Sequence, residues 1–230
     1  MFGKRKAMLV HQGVRLRNDP TIMTPNILKA IDSGKYEHKE ARQLVQIIQP
    51  GERVMEIGGG IGFLSTLMAR QPEVESVLVY EANPGLISYM QETHKNNGIE
   101  DVKVRNAILT SGPAQDKVSF YLRNDFWASS TLPEPWGFRE EVKVPTEDLN
   151  DSVSTFKPTL IVCDIEGGEA ELFDCASLPG VRHVLLELHQ RVTGGSGIRN
   201  VFDNMSRMNF HYNEDFSSGP IVTFTRLQDA

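Results

Sequence analysis

The residues with the clearest chemical potential form the segment Glu56-x-Gly58-x-Gly60-x-Gly62. A glycine-rich loop between a strand and a helix lets the backbone approach a ligand closely and points the helix N-terminal amides at it. The dinucleotide pattern G-x-G-x-x-G would need glycine where Phe63 stands, so the spacing disfavours a nicotinamide cofactor. A carboxylate here also disfavours phosphates, because like charges repel. The segment predicts a site for a ligand that carries positive charge and no phosphate.

S-adenosylmethionine meets this requirement, because it has an ammonium and a sulfonium and no phosphate. Glu81 ends the next apolar run, where an acid can accept hydrogen bonds from both hydroxyls of a ribose. Ala82 and Asn83 follow it and complete the predicted ribose side of the site. Asn106 and Ala107, after a third apolar run, are expected to border the adenine. The sequence therefore predicts S-adenosylmethionine as the cofactor.

Three further residues are candidates for catalysis. Methyl transfer from a sulfonium is an in-line displacement, so the protein must align the acceptor and remove a hydroxyl proton. Asp164 and Glu166 follow a fourth apolar run, and His189 ends a fifth. We expect His189 to act as general base with Glu187 orienting it, and the acids to lie beside it. Such carboxylates could also hold a divalent cation, although the prediction assigns no metal.

These residues need a parallel sheet to bring them together, and the hydrophobic pattern predicts one. Near-continuous apolar runs alternate with helical periodicity, as in α/β domains covered on both faces. The predicted fold is a Rossmann-like, doubly wound, seven-stranded sheet, mostly parallel, with one antiparallel strand from a terminal hairpin. Predicted strands cover 53–57, 77–80, 102–104, 160–163 and 183–188, predicted helices 40–48, 63–70, 84–97, 169–175 and 198–208, and the hairpin 210–212 with 221–224.

One segment interrupts this alternation. The runs 118–122 and 142–144 alternate in polarity and predict a β-insertion at about 112–148. Trp127, Trp136 and Phe138 lie in it and are candidates for an aromatic wall around an acceptor. Acceptor pockets are built from such loops, so this segment is where substrate specificity is expected.

Composition sets the wider limits. The chain has 230 residues, is 40% hydrophobic and has a formal net charge of −6. These values predict one domain over 1–230, with an extension at 1–33 and a catalytic core at 34–227. A negative surface repels a phosphate backbone, so no nucleic-acid partner is expected. No apolar stretch is long enough for a signal peptide or a membrane span, which predicts no membrane partner and a cytoplasmic protein. The two cysteines are expected to be reduced and buried.

The sequence resembles class I S-adenosylmethionine-dependent methyltransferases and, more narrowly, the FkbM family. The resemblance runs from about Gly34 to His189 through the segments 34–37, 54–62, 80–84, 129–132 and 163–172. The segment D-x-E-G-x-E together with E-x-N-P is much more specific than the glycine loop, and glutamate at 56 replaces the aspartate of many relatives. The resemblance implies O-methylation of a hydroxyl on a small molecule such as a sugar or secondary metabolite. It also implies that Tyr36 and Glu37 fold over the methionine end of the cofactor, and that Ser129 and Ser130 contact cofactor or substrate.

Three alternatives stay open. An N-methyltransferase would use the same cofactor half. A nicotinamide-dependent oxidoreductase would share the fold class, although Phe63 argues against it. A non-catalytic binding module could keep the fold, although a decayed site would be expected to have lost one of the acids Glu56, Glu81 and Asp164.

Overall fold

A computed structural model describes residues 8–135 and 137–228. In chain order, the strands are β1 Met8–His11, β2 Val14–Arg17, β3 Glu52–Ile57, β4 Val74–Tyr80, β5 Val102–Arg105, β6 Ile108–Thr110, β7 Lys117–Leu122, β8 Glu140–Asp148, β9 Leu160–Cys163, β10 His183–Glu187, β11 Phe210–Ser218 and β12 Ile221–Arg226. The helices are α1 Pro25–Asp32, α2 His38–Ile47, α3 Phe63–Ala69, α4 Pro84–Asn96, α5 Leu149–Phe156, α6 Glu169–Leu172 and α7 Gln190–Arg207. A 3₁₀ turn spans Phe126–Ala128.

Seven strands form the central sheet in the order β11-β12-β10-β9-β3-β4-β5. Neighbours are parallel from β10 to β5, and β12 runs antiparallel between β10 and β11. The predicted sheet, with its single antiparallel strand from the terminal hairpin, is therefore confirmed. Strands β9 and β10 are buried almost throughout, as expected where helices cover both faces.

Two apolar layers flank this sheet. One packs α1 to α4 and the β1–β2 hairpin against one face, and the other packs α5, α6 and α7 against the opposite face. Each layer is built from buried aliphatic and aromatic side chains of the amphipathic helices. Because β3, β4, β9 and β10 point the same way, Gly58, Glu81, Asp164 and His189 all come after strand ends at one edge. That edge is where open α/β sheets bind ligands.

The predicted insertion is a second, smaller sheet. Strands β7 and β8 pair antiparallel, and β8 pairs in parallel with β6. Its small core, centred on Phe120, Leu122 and Val144, packs against Ala82 and Ile108 beside the main sheet. The insertion therefore lies next to the strand ends that carry the predicted site.

Several boundaries differ from the predictions. Helix α6 ends at Leu172 and not at Cys175, and α7 begins at Gln190 with a break at Gly194. The β1–β2 hairpin, α1 and α5 were not predicted, because four-residue strands and eight-residue helices give little periodic signal. Cys163 is buried as expected, but Cys175 is exposed, since the chain has already left α6 there. Trp136 lies outside the described residues.

Within the described residues, no helix is both long enough and apolar enough to cross a membrane.

Candidate active site

The glycine loop connects β3 to α3 in a close turn. The amide of Gly58 donates to the carbonyl of Tyr80 at 2.8 Å, and that of Gly59 donates to the same oxygen at 3.3 Å. Gly58 has a φ of 92°, which favours glycine, and a Cβ placed on it would lie 1.8 Å from the carbonyl oxygen of Asp164. The loop is thus pressed against the end of β9, and glycine is required at its first position.

Gly58→Ala is expected to destabilise the fold by about 3 kcal/mol or more, because both the conformation and the contact with the Asp164 carbonyl oppose a side chain. Gly98→Ala is the matched control: its φ is 73°, but nothing lies within 4 Å of the added Cβ. That variant should lose about 1 kcal/mol. Thermal melting compares them, and equal losses in melting temperature would contradict the close approach seen at Gly58.

Glu81 lies between the glycine loop and α4. Its Oε2 accepts a hydrogen bond from the Gly60 amide at 2.8 Å, and its Oε1 accepts one from the Asn83 amide at 2.6 Å. The residue is 6% exposed and lines the cavity described below. Burial raises the pKa of Glu81 to about 7, against the lowering effect of these hydrogen bonds. Each carboxylate oxygen keeps a second acceptor site for a ligand hydroxyl.

Glu56, Tyr36 and Glu37 lie behind the same loop. Glu56 is 2% exposed, and its Oε2 has no hydrogen-bond partner; the hydroxyl of buried Tyr36 has none either. A Cβ on Gly60 would lie 3.6 Å from that hydroxyl and 4.0 Å from Oε1 of Glu37. Burial raises the pKa of all three groups, and the negative charge of Asp164 adds to the effect at each. Unpartnered buried oxygens are costly, and a cationic donor would satisfy them. None of these three residues lines the cavity described below.

The remaining predicted cofactor residues take different positions. Ala82 and Ala107 line the cavity. The side chain of Asn83 accepts from the Gly85 amide at 2.9 Å and caps α4. Asn106 does not line the cavity: its amide nitrogen donates to the carbonyls of Glu81 and Ala82 at 2.8 and 3.0 Å. Its side chain therefore holds the end of β4.

A cavity of about 520 Å³ extends from the glycine loop to the insertion. Its polar and charged end is formed by residues at the strand ends, and its apolar walls come from the insertion and β6. The lining includes Gly58, Gly60, Glu81, Ala107, Ile108, Leu109, Val118, Phe120, Phe126, Trp127, Ser129, Asp164, Glu166 and Leu172. A volume of this size suits a small molecule or cofactor.

His189 follows β10 and lies among carboxylates. Its Nε2 is 3.5 Å from Oδ1 of Asp164 and 3.4 Å from Oε2 of Glu166. Its Nδ1 lies 3.3 Å from Oε1 of Glu169, which also accepts the His189 backbone amide at 2.9 Å. The predicted orienting role of Glu187 was therefore wrong. Glu169 holds the imidazole instead, because the turn at Gly167 brings the start of α6 against the end of β10.

Burial and neighbouring charges shift the pKa values of this cluster in opposite directions. Burial alone would lower the pKa of His189, but Glu169, Asp164 and Glu166 hold it well above its ordinary value. Burial raises the pKa of Glu166 to about 7, although His189 and Arg123 oppose the shift. The pKa of Glu187 is also raised, first by burial and then by Asp164. The neighbouring carboxylates thus favour the protonated form of His189 at neutral pH, and burial makes Glu166 a stronger base than an ordinary glutamate.

The ligand atoms of Asp164, Glu166 and His189 lie within 4.8 Å of one another, close enough to hold a cation. Protonated His189 already supplies positive charge to the two carboxylates. Glu166 has a φ of 51° and Glu37 a φ of 44°, conformations that are uncommon outside glycine. Such backbone outliers cluster at functional sites.

Arg123 organises the part of the insertion that faces the cavity. Its guanidinium donates to the carbonyl oxygens of Ala128 and Leu132 at 2.7 and 2.8 Å, and Ser129 accepts from its backbone amide at 3.0 Å. Ser129 is 7% exposed and also lines the cavity, whereas Ser130 is 4% exposed, accepts from the Leu132 amide at 3.2 Å and does not line the cavity. Sequence reasoning missed Arg123, because an arginine ending an alternating strand gives no signal of its contacts.

The aromatic wall was predicted only in part. Trp127 lines the cavity together with Phe126, and it stacks on Tyr36 with ring centroids 6.1 Å apart. Phe138 is 46% exposed, contacts Tyr121 and does not line the cavity. The apolar wall therefore joins the insertion to the Tyr36 segment over the glycine loop.

One protein-family model matches part of this sequence. A sequence model of the protein-L-isoaspartate(D-aspartate) O-methyltransferase family matches residues 20–115, which is under half of the chain but includes the glycine loop and Glu81. No protein with a curated description matches the sequence.

Solved structures share the fold. A putative transferase from Pyrococcus horikoshii is 11% identical with a TM-score of 0.51, covering 97% of this chain and 72% of that chain. A precorrin-6y C5,15-methyltransferase from Geobacter metallireducens is 13% identical with a TM-score of 0.50, covering 84% and 89%. Trm5b from Pyrococcus abyssi is 12% identical with a TM-score of 0.50, covering 96% and 54%. The chain has the fold of class I S-adenosylmethionine-dependent methyltransferases, and the family match over residues 20–115 supports the same class of enzyme with S-adenosylmethionine as cofactor.

Proposed function

We propose that this protein transfers the methyl group of S-adenosylmethionine to a hydroxyl oxygen of a small molecule. The observation that carries the proposal is the shared edge of the sheet. There the cavity joins the glycine loop and Glu81 to the cluster of Asp164, Glu166 and His189. One end has the groups to hold a cationic nucleoside, and the other has groups to accept a proton. The FkbM resemblance adds the expectation of an oxygen acceptor.

The residues present fit the cofactor. S-adenosylmethionine, when bound, supplies an electrophilic methyl group on a positively charged sulfur. Glu81 has acceptor capacity for the ribose hydroxyls, and Ala82 and Ala107 give an apolar border for the adenine. Glu56 and Tyr36 have unpartnered buried oxygens that match an ammonium group. A buried carboxylate without a partner favours a cation because desolvation makes its isolated charge costly.

In the proposed reaction, Glu166 removes the proton of the acceptor hydroxyl. Its pKa of about 7 suits a base at neutral pH, whereas protonated His189 cannot accept a proton. Glu166 therefore takes the role of general base that the sequence analysis expected of His189. Asp164 and His189 hold Glu166 and the acceptor in place. The acceptor oxygen gains the methyl group as the methyl–sulfur bond breaks and S-adenosylhomocysteine leaves, and the acceptor proton goes to the Glu166 carboxylate.

The size and charge of the cavity favour a small acceptor over nucleic acid. Of the described residues that line the cavity, several are acidic, among them Glu81, Asp164 and Glu166, and none is an arginine or lysine, which disfavours a phosphate backbone. The apolar insertion wall favours an acceptor with a non-polar part beside its hydroxyl.

The same negative charge favours an amine acceptor as the second candidate. A cationic amine would pair with Asp164 and Glu166 before losing its proton. The two reactions differ in product, because one forms an ether oxygen and the other a methylated nitrogen.

Incubation with methyl-labelled S-adenosylmethionine and matched libraries of small alcohols, amines and short RNAs tests the proposal. We expect label in alcohols. Label in amines alone would support the second candidate, and label in RNA alone would contradict a small-molecule acceptor. A catalytically inactive Glu166→Gln variant, run in parallel, shows which label requires the site.

A further inference from the structure

The 3₁₀ turn of the insertion forms the part of the cavity wall that lies over the glycine loop. Phe126 and Trp127, the first two residues of the turn, both line the cavity. A Cβ placed on Gly60 would be 3.4 Å from Cε2 of Phe126, so this ring lies directly against the loop. The amide of Gly60 in turn donates to Glu81. The position of the 3₁₀ turn therefore determines how closely the wall approaches a ligand held by the loop and Glu81.

Residues outside the cavity hold this turn from behind. Asp125, which immediately precedes the turn, accepts a hydrogen bond from the Thr24 hydroxyl at one carboxylate oxygen. Its other carboxylate oxygen accepts from the side-chain amide of Asn26 at 2.8 Å. Thr24 is the N-cap of α1, and its hydroxyl oxygen also accepts from the Ile27 amide at 3.3 Å. Both oxygens of the Asp125 carboxylate are thus bonded to the start of α1.

Charge favours the same contact. The first turn of α1 contains no acidic residue of its own, and a carboxylate beside the N-terminal amides of a helix is stabilised by the helix dipole. Asp125 supplies that carboxylate from a position 101 residues beyond Thr24. Hydrogen bonds to an ionised acceptor are also stronger than those between neutral groups. The contact is therefore a specific tie between α1 and the 3₁₀ turn.

Aromatic contacts support the turn from the same side. Trp127 stacks on Tyr36 with ring centroids 6.1 Å apart, and Phe126 meets the Tyr36 ring edge-on at 6.4 Å. The carbonyl of Tyr36 lies 2.7 Å from Nε2 of His11, which ends β1. Part of the predicted extension at 1–33, for which the sequence suggested no role, thus lies behind the cavity wall.

We propose that Asp125 is a positioning residue for cofactor binding: by joining the 3₁₀ turn to α1, it holds Phe126 and Trp127 against the bound cofactor. This inference rests on the proposed function, because it takes the ligand of the cavity to be S-adenosylmethionine. Asp125, Thr24 and Asn26 do not line the cavity, so their effect on a ligand passes through the two rings. Without the tie, the turn is expected to move away from the glycine loop, and bound cofactor is expected to leave sooner.

The rates of S-adenosylhomocysteine binding separate this role from a general loss of folded protein. A smaller folded fraction lowers the apparent association rate and leaves the dissociation rate unchanged. A displaced wall instead raises the dissociation rate, because the bound ligand loses contacts. Stopped-flow fluorescence measures both rates in a Trp136→Phe background, where Trp127 is the only tryptophan. Calorimetric titration of the same variants gives the affinity independently.

Asp125→Ala is expected to raise the dissociation rate about 5- to 20-fold, as loss of hydrogen bonds to a charged group predicts, with the association rate changing less than about twofold. Asn26→Ala removes one of the two bonds and should raise the dissociation rate about 2- to 5-fold. Asp125→Asn keeps an oxygen for the Thr24 hydroxyl and should restore most of the wild-type behaviour. Asn124→Ala is the matched control, because Asn124 is the exposed neighbour of Asp125, and it should match the wild type.

A wild-type dissociation rate in Asp125→Ala would overturn the proposal. Full additivity of Asp125→Ala and Asn26→Ala in the double variant would also overturn it, because residues that act through one shared contact are not additive. If Asp125→Ala fails to fold, Asn26→Ala decides, since Asn26 is exposed. Failure of the wild-type protein to bind S-adenosylhomocysteine would refute the proposed function and this inference with it. Binding by the wild type with unchanged rates in both variants would refute this inference alone.

Discussion

Replacing Glu81 by glutamine is expected to weaken S-adenosylhomocysteine binding by about 100-fold, with little loss of folded protein. The substitution keeps the shape of the side chain but removes the charge that strengthens bonds to two ribose hydroxyls. Two charge-assisted hydrogen bonds lost in part account for about 2–3 kcal/mol. Isothermal titration calorimetry measures the change directly.

Glu75→Gln is the matched control, because Glu75 is an exposed acid at the opposite end of the same strand, β4. It should bind like the wild type. Glu81→Ala would be a poorer test, since it leaves the amides of both Gly60 and Asn83 without their acceptor, whereas glutamine keeps an acceptor for one of them. Wild-type affinity in Glu81→Gln would remove the ribose role from this residue.

The second large effect is expected in turnover. Glu166→Gln should lower kcat by about 100-fold or more, as loss of a general base predicts, while S-adenosylhomocysteine affinity changes little. Glu75→Gln is again the control, because Glu75 is an exposed acid that does not line the cavity. Unchanged turnover in Glu166→Gln would transfer the proton acceptor to another group of the cluster.

The pH dependence of turnover is an independent test of Glu166 as the base. Only the carboxylate form of Glu166 accepts a proton, so turnover should rise with pH through about 7, the pKa of this group. His189 lowers that pKa by its positive charge. In His189→Gln the rising limb should therefore shift to higher pH, and turnover at pH 7 should fall. A limb that stays in place would demote His189 to a structural residue.

Strand and helix periodicity determined the sheet and its strand-end residues, because long apolar runs have few alternatives. The β12 direction followed from the short terminal hairpin. Elements such as α1 and α5 escaped, since their eight residues fold by contact with the rest of the chain. Hydrophobic periodicity was therefore sufficient to predict the central sheet and insufficient to predict the short helices packed around it.

The candidate site was likewise predictable from the sequence only in part. The positions of Glu56, Glu81 and Asp164 at one edge of the sheet could be predicted because each lies beside the carboxyl end of a strand. The partnership of His189 with Glu169 could not, because it depends on how the turn after β9 folds. Nor could the pKa of Glu166, which is set by burial and by four charged neighbours, of which His189 and Arg123 are distant in sequence. Charge states are properties of the assembled cluster.

The central claim is that this cavity binds S-adenosylmethionine and not a nicotinamide dinucleotide. Calorimetric titration of the wild-type protein with S-adenosylhomocysteine and, separately, with NAD tests it most directly. We predict binding of S-adenosylhomocysteine alone, because buried carboxylates face the glycine loop and oppose a pyrophosphate. Binding of NAD alone would contradict the assignment of the loop and of Glu56.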